Sequence, residues 1–407
     1  MTALADRLRA VAPSATLAMS ARAQEMRSRG IDVFAFGVGE PDFEPPQYVL
    51  DAAKKSIDEK KSSKYTAVTG IAPLKEAICV ASERRRGVKP AQQNVTVSVG
   101  AKHALFNLAL ALYNPGDEVV IPAPYWVSYP EQVRIVEASP VIVETEEKDG
   151  WRVSPAALQK SLTKKTKAVI LCTPSNPTGA AYGEKELREI LEVLEPHDAW
   201  LIVDEIYAEL VYDGFKNVSV TTIAREMKRV RDRIILIDGV SKSYAMTGWR
   251  IGWSIAPREV SAALDIVQGQ STTNPTAASQ HAALAALTGP QDEVEKMRDA
   301  FQKRRDAMVA GLGSLPGVAC RKPEGAFYAF ADVRGLYGLE YNDKPIETDH
   351  DVAMFLLEKA HVASVSGGPF GAPGYVRFSY ATSEERINAG VASMRSAIDS
   401  AKRLKPA

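Results

Sequence analysis

Short apolar runs return along this chain at intervals that each leave room for a helix, and that rhythm restricts the available folds more than any single residue does. Residues 95–99, 118–121, 167–171, 200–203, 233–237 and 251–255 each read as a strand. Between them lie polar-apolar stretches of helical period, such as 184–194. Strand and helix in repetition build an α/β fold: a mostly parallel sheet flanked by helices, joined by right-handed crossovers. Such sheets bind ligands just beyond the C-terminal ends of their strands. The residues that follow each run are therefore the ones to read for chemistry.

The rhythm stops near Gly289-Pro290, where a long charged helix over 291–312 precedes a strand over 325–330. The chain of 407 residues is long enough for a second, smaller α+β domain. The expected division is an N-terminal segment over 1–44 that packs with the small domain, a large domain over 45–290 and a small domain over 291–407. Within the first segment, 20–29 reads as a helix stopped by Gly30, and a short strand over 34–36 runs into a turn rich in glycine and proline. A strand is expected over 375–380, and the tail after Ser400 reads as a solvated helix end.

Lysine plus arginine equals aspartate plus glutamate, 50 against 50, so no overall field draws the chain to nucleic acid or to an anionic membrane. Three widely spaced cysteines, Cys79, Cys172 and Cys320, argue against a disulfide framework or a zinc site, and no metal is expected. The opening residues are polar and charged, without the apolar core of a signal peptide, and no run approaches membrane-spanning length. A cytoplasmic location is expected.

Most strand ends carry a polar group. Lys242 lies in a Ser-Lys-Ser triplet just past 233–237, where small neighbours leave room for a carbonyl compound to form a Schiff base, and Arg250 follows with a fork suited to phosphate. Asp204 ends one strand, with Tyr207 close behind; a buried aspartate is costly unless a cation or strong donor meets it. Asn176 follows another strand, Trp126 a third, and Gly100-Ala101-Lys102 turns a fourth into a helix whose first N–H groups suit an anion. Tyr65 offers a hydroxyl from a polar loop. Each has an ordinary reading as well: Asn-Pro-Thr-Gly is a good turn, Tyr207 a core tyrosine, Trp126 a packing residue, Lys102 a solvated first-turn lysine. Their joint arrival at the strand ends of one sheet favours chemistry.

These stretches resemble a known family. Gly37-Val38-Gly39-Glu40-Pro41-Asp42-Phe43, Pro124-Tyr125-Trp126-Val127-Ser128-Tyr129-Pro130, Asn176-Pro177-Thr178-Gly179, Asp204-Glu205-Ile206-Tyr207, the run from Ser241 to Arg250 and Arg377-Phe378-Ser379-Tyr380 are similar to fold-type I, pyridoxal-phosphate-dependent aminotransferases of class I/II, and within them to the bacterial-type aspartate aminotransferase branch. The resemblance implies that Lys242 binds the cofactor covalently and then moves the substrate proton. It implies that Asp204 pairs with the pyridinium, that Tyr207 and Asn176 bond the phenolate oxygen, and that Trp126 stacks on the ring. Gly100, Ala101, Lys102, Ser241 and Arg250 would hold the phosphate, with Tyr65 reaching the phosphate of a neighbouring subunit in a homodimer. Arg377 would clamp the substrate α-carboxylate, helped by Asn176 and the backbone near Gly39, and Lys102 is the candidate for a distal carboxylate. Residues 270–275 would line the dimer-facing side of the pocket.

The implied reaction is transfer of the amino group of L-aspartate to 2-oxoglutarate. An aromatic or broad-specificity aminotransferase and a C–S β-lyase use the same scaffold. Relatives acting on prephenate carry a lysine before Pro-Ser-Ala-Thr, and Ala12 stands there in this chain, which argues against that substrate. The fold also serves as an effector-sensing domain in transcription regulators, but that reading predicts an attached basic module, and the balanced charge offers none.

Overall fold

A computed structural model describes residues 4–404. Its large sheet has seven strands: β1 Val95–Val99, β2 Glu118–Pro122, β3 Ser139–Val143, β4 Thr166–Cys172, β5 Trp200–Asp204, β6 Ile234–Gly239 and β7 Ile251–Ile255, ordered β1-β7-β6-β5-β4-β2-β3. All pairs are parallel except the two made by β7. The central strands bury both faces. Val169, Leu171, Leu201, Val203 and Leu236 pack with Leu187, Ile190 and Leu194 of one helix layer, while Ala168, Ile170, Ile202 and Ile235 pack with Ala104, Leu105 and Leu108 of the other. Burial on both faces is why these strands read as continuous apolar runs rather than as alternation.

A second sheet holds β8 Ala319–Cys320, β9 Tyr328–Asp332, β10 Val365–Ser366 and β11 Tyr375–Ser379, all antiparallel in the order β10-β11-β9-β8. Phe34 and Ala35 pair with Val362 and Ala363 on the same side of the molecule, which places the glycine turn that follows beside this smaller sheet.

Several expectations need correcting. The edge strand β3 escaped notice because Ser139-Pro140 opens it, and proline belongs on an edge. β7 runs against its neighbours, so the β6–β7 connection is a short return rather than a helical crossover. The strand expected over 325–330 begins only at Tyr328; Ala326 has φ 58°, and Gly325 N–H donates to Gly179 O at 2.8 Å, so the chain is still turning there. The N-terminal helix, α1, spans Ala15–Ser28, five residues earlier than expected at its start, and is capped by the Ser14 hydroxyl. The tail is no solvated helix end: past Ser400, Glu340 N–H donates to Lys402 O at 2.7 Å and Leu404 N–H to Gly338 O at 2.8 Å.

Candidate active site

The reversal at β7 shapes the site. Because the chain turns back at once, the loop that carries Ser241, Lys242 and Arg250 stays at the C-terminal edge of the sheet, beside the ends of β4 and β5. There a crevice of about 440 Å³ is lined by Gly39, Ala101, Lys102, Trp126, Asn176, Asp204, Tyr207, Ser241, Lys242, Arg250 and Arg377. Arg377 arrives from β11, so both sheets contribute.

Asp204 is buried at the end of β5. Tyr129 Oη donates to its Oδ2 at 2.8 Å and Ile206 N–H to its Oδ1 at 3.1 Å. Burial nevertheless pushes the carboxyl up to about 6, against these two hydrogen bonds, and the nearby Asp238 charge adds to the rise. Lys242 Nζ donates to Gly39 O at 2.6 Å. Removal from water brings the ammonium down to about 8; Arg250 and Arg377 act in the same direction, while Glu40 and Asp204 oppose it.

Arg377 is 1% exposed, and its partners are neutral: Nη1 donates to Asn176 Oδ1 at 2.7 Å and Nη2 to Gly37 O at 2.9 Å. Its guanidinium carbon lies 4.5 Å from the centroid of the Tyr328 ring, and its Nε has no hydrogen-bond partner among the described residues. Gly37 O and Gly39 O, two residues apart in one turn, thus accept from Arg377 and Lys242 respectively.

On the other flank, helix α2 (Ala101–Leu112) starts at Gly100, whose φ is 83°. A Cβ there would stand 2.6 Å from Arg250 Nη2, so only glycine lets the guanidinium close over the helix N-terminus. Lys102, exposed at the crevice mouth, holds its Nζ 4.9 Å from the centroid of the Trp126 ring. Partial desolvation and the Arg250 charge lower its affinity for a proton.

Tyr65 and residues 270–275 stay away from the crevice of their own chain; Tyr65 is 89% exposed. Two site residues were missed from sequence: Tyr129, which holds Asp204, and Tyr328, whose hydroxyl pairs with that of Tyr207 at 2.9 Å. Tyr129 lies in a motif read for Trp126, and Tyr328 in a segment read only as a strand. A second cavity of about 710 Å³ adjoins the crevice through Lys102 and Arg250, lined by Ala12, Phe106, Tyr125 and Ile135 among others.

Comparison with known proteins gives the family. Residues 31–394 match the family described as aminotransferase class I and II. An aspartate aminotransferase of Rhizobium meliloti is 43% identical over 97% of this chain and 96% of its own. An aspartate/prephenate aminotransferase of Cereibacter sphaeroides is 44% identical over 97% and 98% respectively. The crystal structure of an aspartate aminotransferase from Rhizobium meliloti superposes with a TM-score of 0.94 at 42% identity, covering 99% of this chain and all of that one (100%). Sequence, fold and the crevice between the two sheets together place the chain in the class I and II aminotransferases.

Proposed function

We propose that this aminotransferase moves the amino group of L-aspartate to 2-oxoglutarate, giving oxaloacetate and L-glutamate, with pyridoxal 5′-phosphate as cofactor and as a homodimer whose crevices are shared. The observation that carries the reading is the crevice's set of charges: a buried carboxylate with neutral partners, a lysine partly discharged near neutrality and a buried guanidinium with no carboxylate partner. A pyridinium, a carbonyl carbon and a substrate carboxylate are the three groups these would meet.

The residues fit that cofactor. Gly100 leaves the space in which Arg250 meets the first turn of α2, a cradle for a phosphate beside Ser241. When bound, pyridoxal phosphate supplies an electron sink for the carbanion left at the substrate Cα. Asp204 keeps the proton on the ring nitrogen, and that pairing removes the penalty its buried charge otherwise carries. Asn176 accepts from Arg377 through its oxygen, which leaves its NH₂ as a donor toward a phenolate, next to the Tyr207 hydroxyl. Trp126 offers a ring face for stacking. Arg377 orients the α-carboxylate, and Lys242 Nζ, neutral in a useful fraction near its pKa of about 8, takes the proton from Cα. Lys102 receives the distal carboxylate of a dicarboxylic substrate at the mouth. Tyr65, exposed in its own chain, reaches the phosphate of the partner subunit, and residues 270–275 line the partner-facing wall.

The proposal keeps the division at 1–44, 45–290 and 291–407, and a cytoplasmic location, which suits three free cysteines. The cavity next to Lys102, with Phe106, Tyr125 and Ile135 in its wall, favours a second reading as an aromatic or broad-specificity enzyme. One experiment separates the readings: L-aspartate, L-phenylalanine or cystathionine is added alone to the purified protein and the cofactor absorbance is followed. Rapid conversion by aspartate supports the proposal. Faster conversion by phenylalanine transfers it to the aromatic reading, pyruvate from cystathionine to a β-lyase, and absence of cofactor absorbance after reconstitution refutes it.

A further inference from the structure

Two glutamines outside the crevice are wholly buried. Gln268, near the end of helix α3 (Arg258–Gly269), and Gln280, in helix α4 (Ala277–Thr288), are both 0% exposed, an unusual place for so polar a side chain. Gln280 Oε1 accepts from Ile71 N–H at 2.8 Å, and its Nε2 donates to Thr66 Oγ1 at 3.0 Å and to Pro275 O at 2.8 Å. Gln268 Nε2 donates to Val68 O at 2.6 Å and to Val97 O at 2.8 Å, while its Oε1 accepts from Ser98 Oγ at 2.6 Å and Asn107 Nδ2 at 3.1 Å. With both donors and the acceptor engaged, neither amide can turn without leaving buried polar groups unmatched.

All three bonds of Gln280 and the Val68 bond of Gln268 end at the roots of residues 65–71 and 270–275, while the other bonds of Gln268 end on β1 and α2. Val97 N–H adds a third tie, to Thr69 O at 3.0 Å, and Gly70, with φ 103°, passes so close to β1 that a Cβ would stand 2.7 Å from Val97 Cγ2. The tips are exposed by contrast. Tyr65 is 89% exposed, Ser271 and Thr272 are exposed, and none of the three lines the crevice of its own chain.

We propose that Gln268 and Gln280 are positioning residues that work across the subunit boundary, fixing in one chain the two segments that complete the crevice of its partner. The inference rests on the shared-site homodimer proposed above. A free loop loses entropy each time it docks, and a loop fixed at its root has lost most of it already. The Gln280 amide, which bonds only to these roots, is thus invisible to the site of its own chain and felt by the other.

Hybrid dimers test this. Gln280→Met keeps the volume and removes the hydrogen bonds; Thr66→Val loosens the same root from the loop side without touching the helix, and serves if the first variant does not fold. Each should lower turnover about tenfold in the homodimer. In a hybrid of a Gln280→Met chain with a Lys242→Ala chain, the crevice that keeps its lysine receives loops from the chain with Gln280 intact, and activity per intact crevice should return to the wild-type value. In a hybrid of wild type with a Lys242→Ala, Gln280→Met chain it should stay low. Equal activity in the two hybrids overturns the inference. Parallel hybrids with Tyr65→Phe examine the sharing itself: if they show no such asymmetry, the shared site falls and the inference with it, whereas asymmetry for Tyr65 but not for Gln280 overturns the inference alone. A further reading needs no cofactor. Trypsin cleavage after Lys64 in cofactor-free protein should quicken about fivefold in both variants, given the loss of about 1 kcal/mol at the root. An unchanged rate means that the glutamine does not hold the loop, and overturns it.

Discussion

Asp204 and Glu205 are neighbours in sequence and equally buried, yet their carboxylates live in different chemistries. Successive residues at a strand end face opposite ways. Glu205 meets a cation: Arg86 Nε donates to its Oε2 at 2.5 Å, Ser219 Oγ donates to its Oε1 at 2.8 Å, and Arg86 Nη2 reaches on to Asp238 Oδ2 at 2.6 Å. Asp204 has only a tyrosine hydroxyl and a peptide N–H, and its carboxyl is pushed up to about 6. On one side of the strand a buried charge is complete; on the other it waits for a cation from outside. That difference separates a structural ion pair from a binding site more reliably than residue type does.

The comparison can be broken at four points. The largest effect belongs to the incomplete side: Lys242→Ala should lower transamination about 10⁴-fold or more while circular dichroism stays native, since proton transfer alone is worth about 10²–10⁴. Near-normal turnover would show that the crevice does not depend on its lysine. On the complete side, Arg86→Met should cost about 3–5 kcal/mol in urea unfolding, because it strands buried Glu205 and leaves Asp238 with only the longer Arg85 contact, at 3.7 Å, as its cation. A loss below about 1 kcal/mol would mean that the pairing is not what stabilises this region.

Asp204→Asn should do the reverse. Burial pushes the native carboxyl up to about 6 from 3.8, so between those values the folded state binds more protons and stability falls as pH rises. Above about pH 6 the whole penalty is present; below about pH 4 it is gone. Cofactor-free Asp204→Asn should therefore be more stable than wild type by roughly 2–3 kcal/mol at pH 7, and no more stable at pH 4. A destabilised variant at pH 7 would place Asp204 with Glu205 among the satisfied charges. The smallest effect is at the exposed mouth: Lys102→Ala should raise KM for aspartate about fivefold and leave that for phenylalanine nearly unchanged. Equal changes would remove Lys102 from recognition of the distal carboxylate.

The contrast also marks what the sequence could reveal. Asp204, Lys242 and Asn176 stood out because each follows a strand, a position readable from apolar runs alone. Arg86 gave no such signal, since its partners Glu205 and Asp238 lie 119 and 152 residues away. Tyr129 and Tyr328 were hidden by their company: each stands in an aromatic cluster where only the three-dimensional packing decides which hydroxyl faces the crevice. That Arg377 Nη2 donates to Gly37 O is finer than motif reading resolves. The direction of β7 was likewise illegible, because a buried strand looks alike whichever way it runs.

That reversed strand has a consequence for anyone redesigning the enzyme. Since the return is short, Lys242 and Arg250 are carried by one continuous stretch, and neither can be re-aimed without the other. The stretch extends to Gly252, where a Cβ would stand 2.2 Å from Ala101 N and unseat the first turn of α2. Residues 241–252 thus form an indivisible cassette: a library that shuffles them between homologues should cut outside its ends, and substrate range is better diversified on the opposite wall.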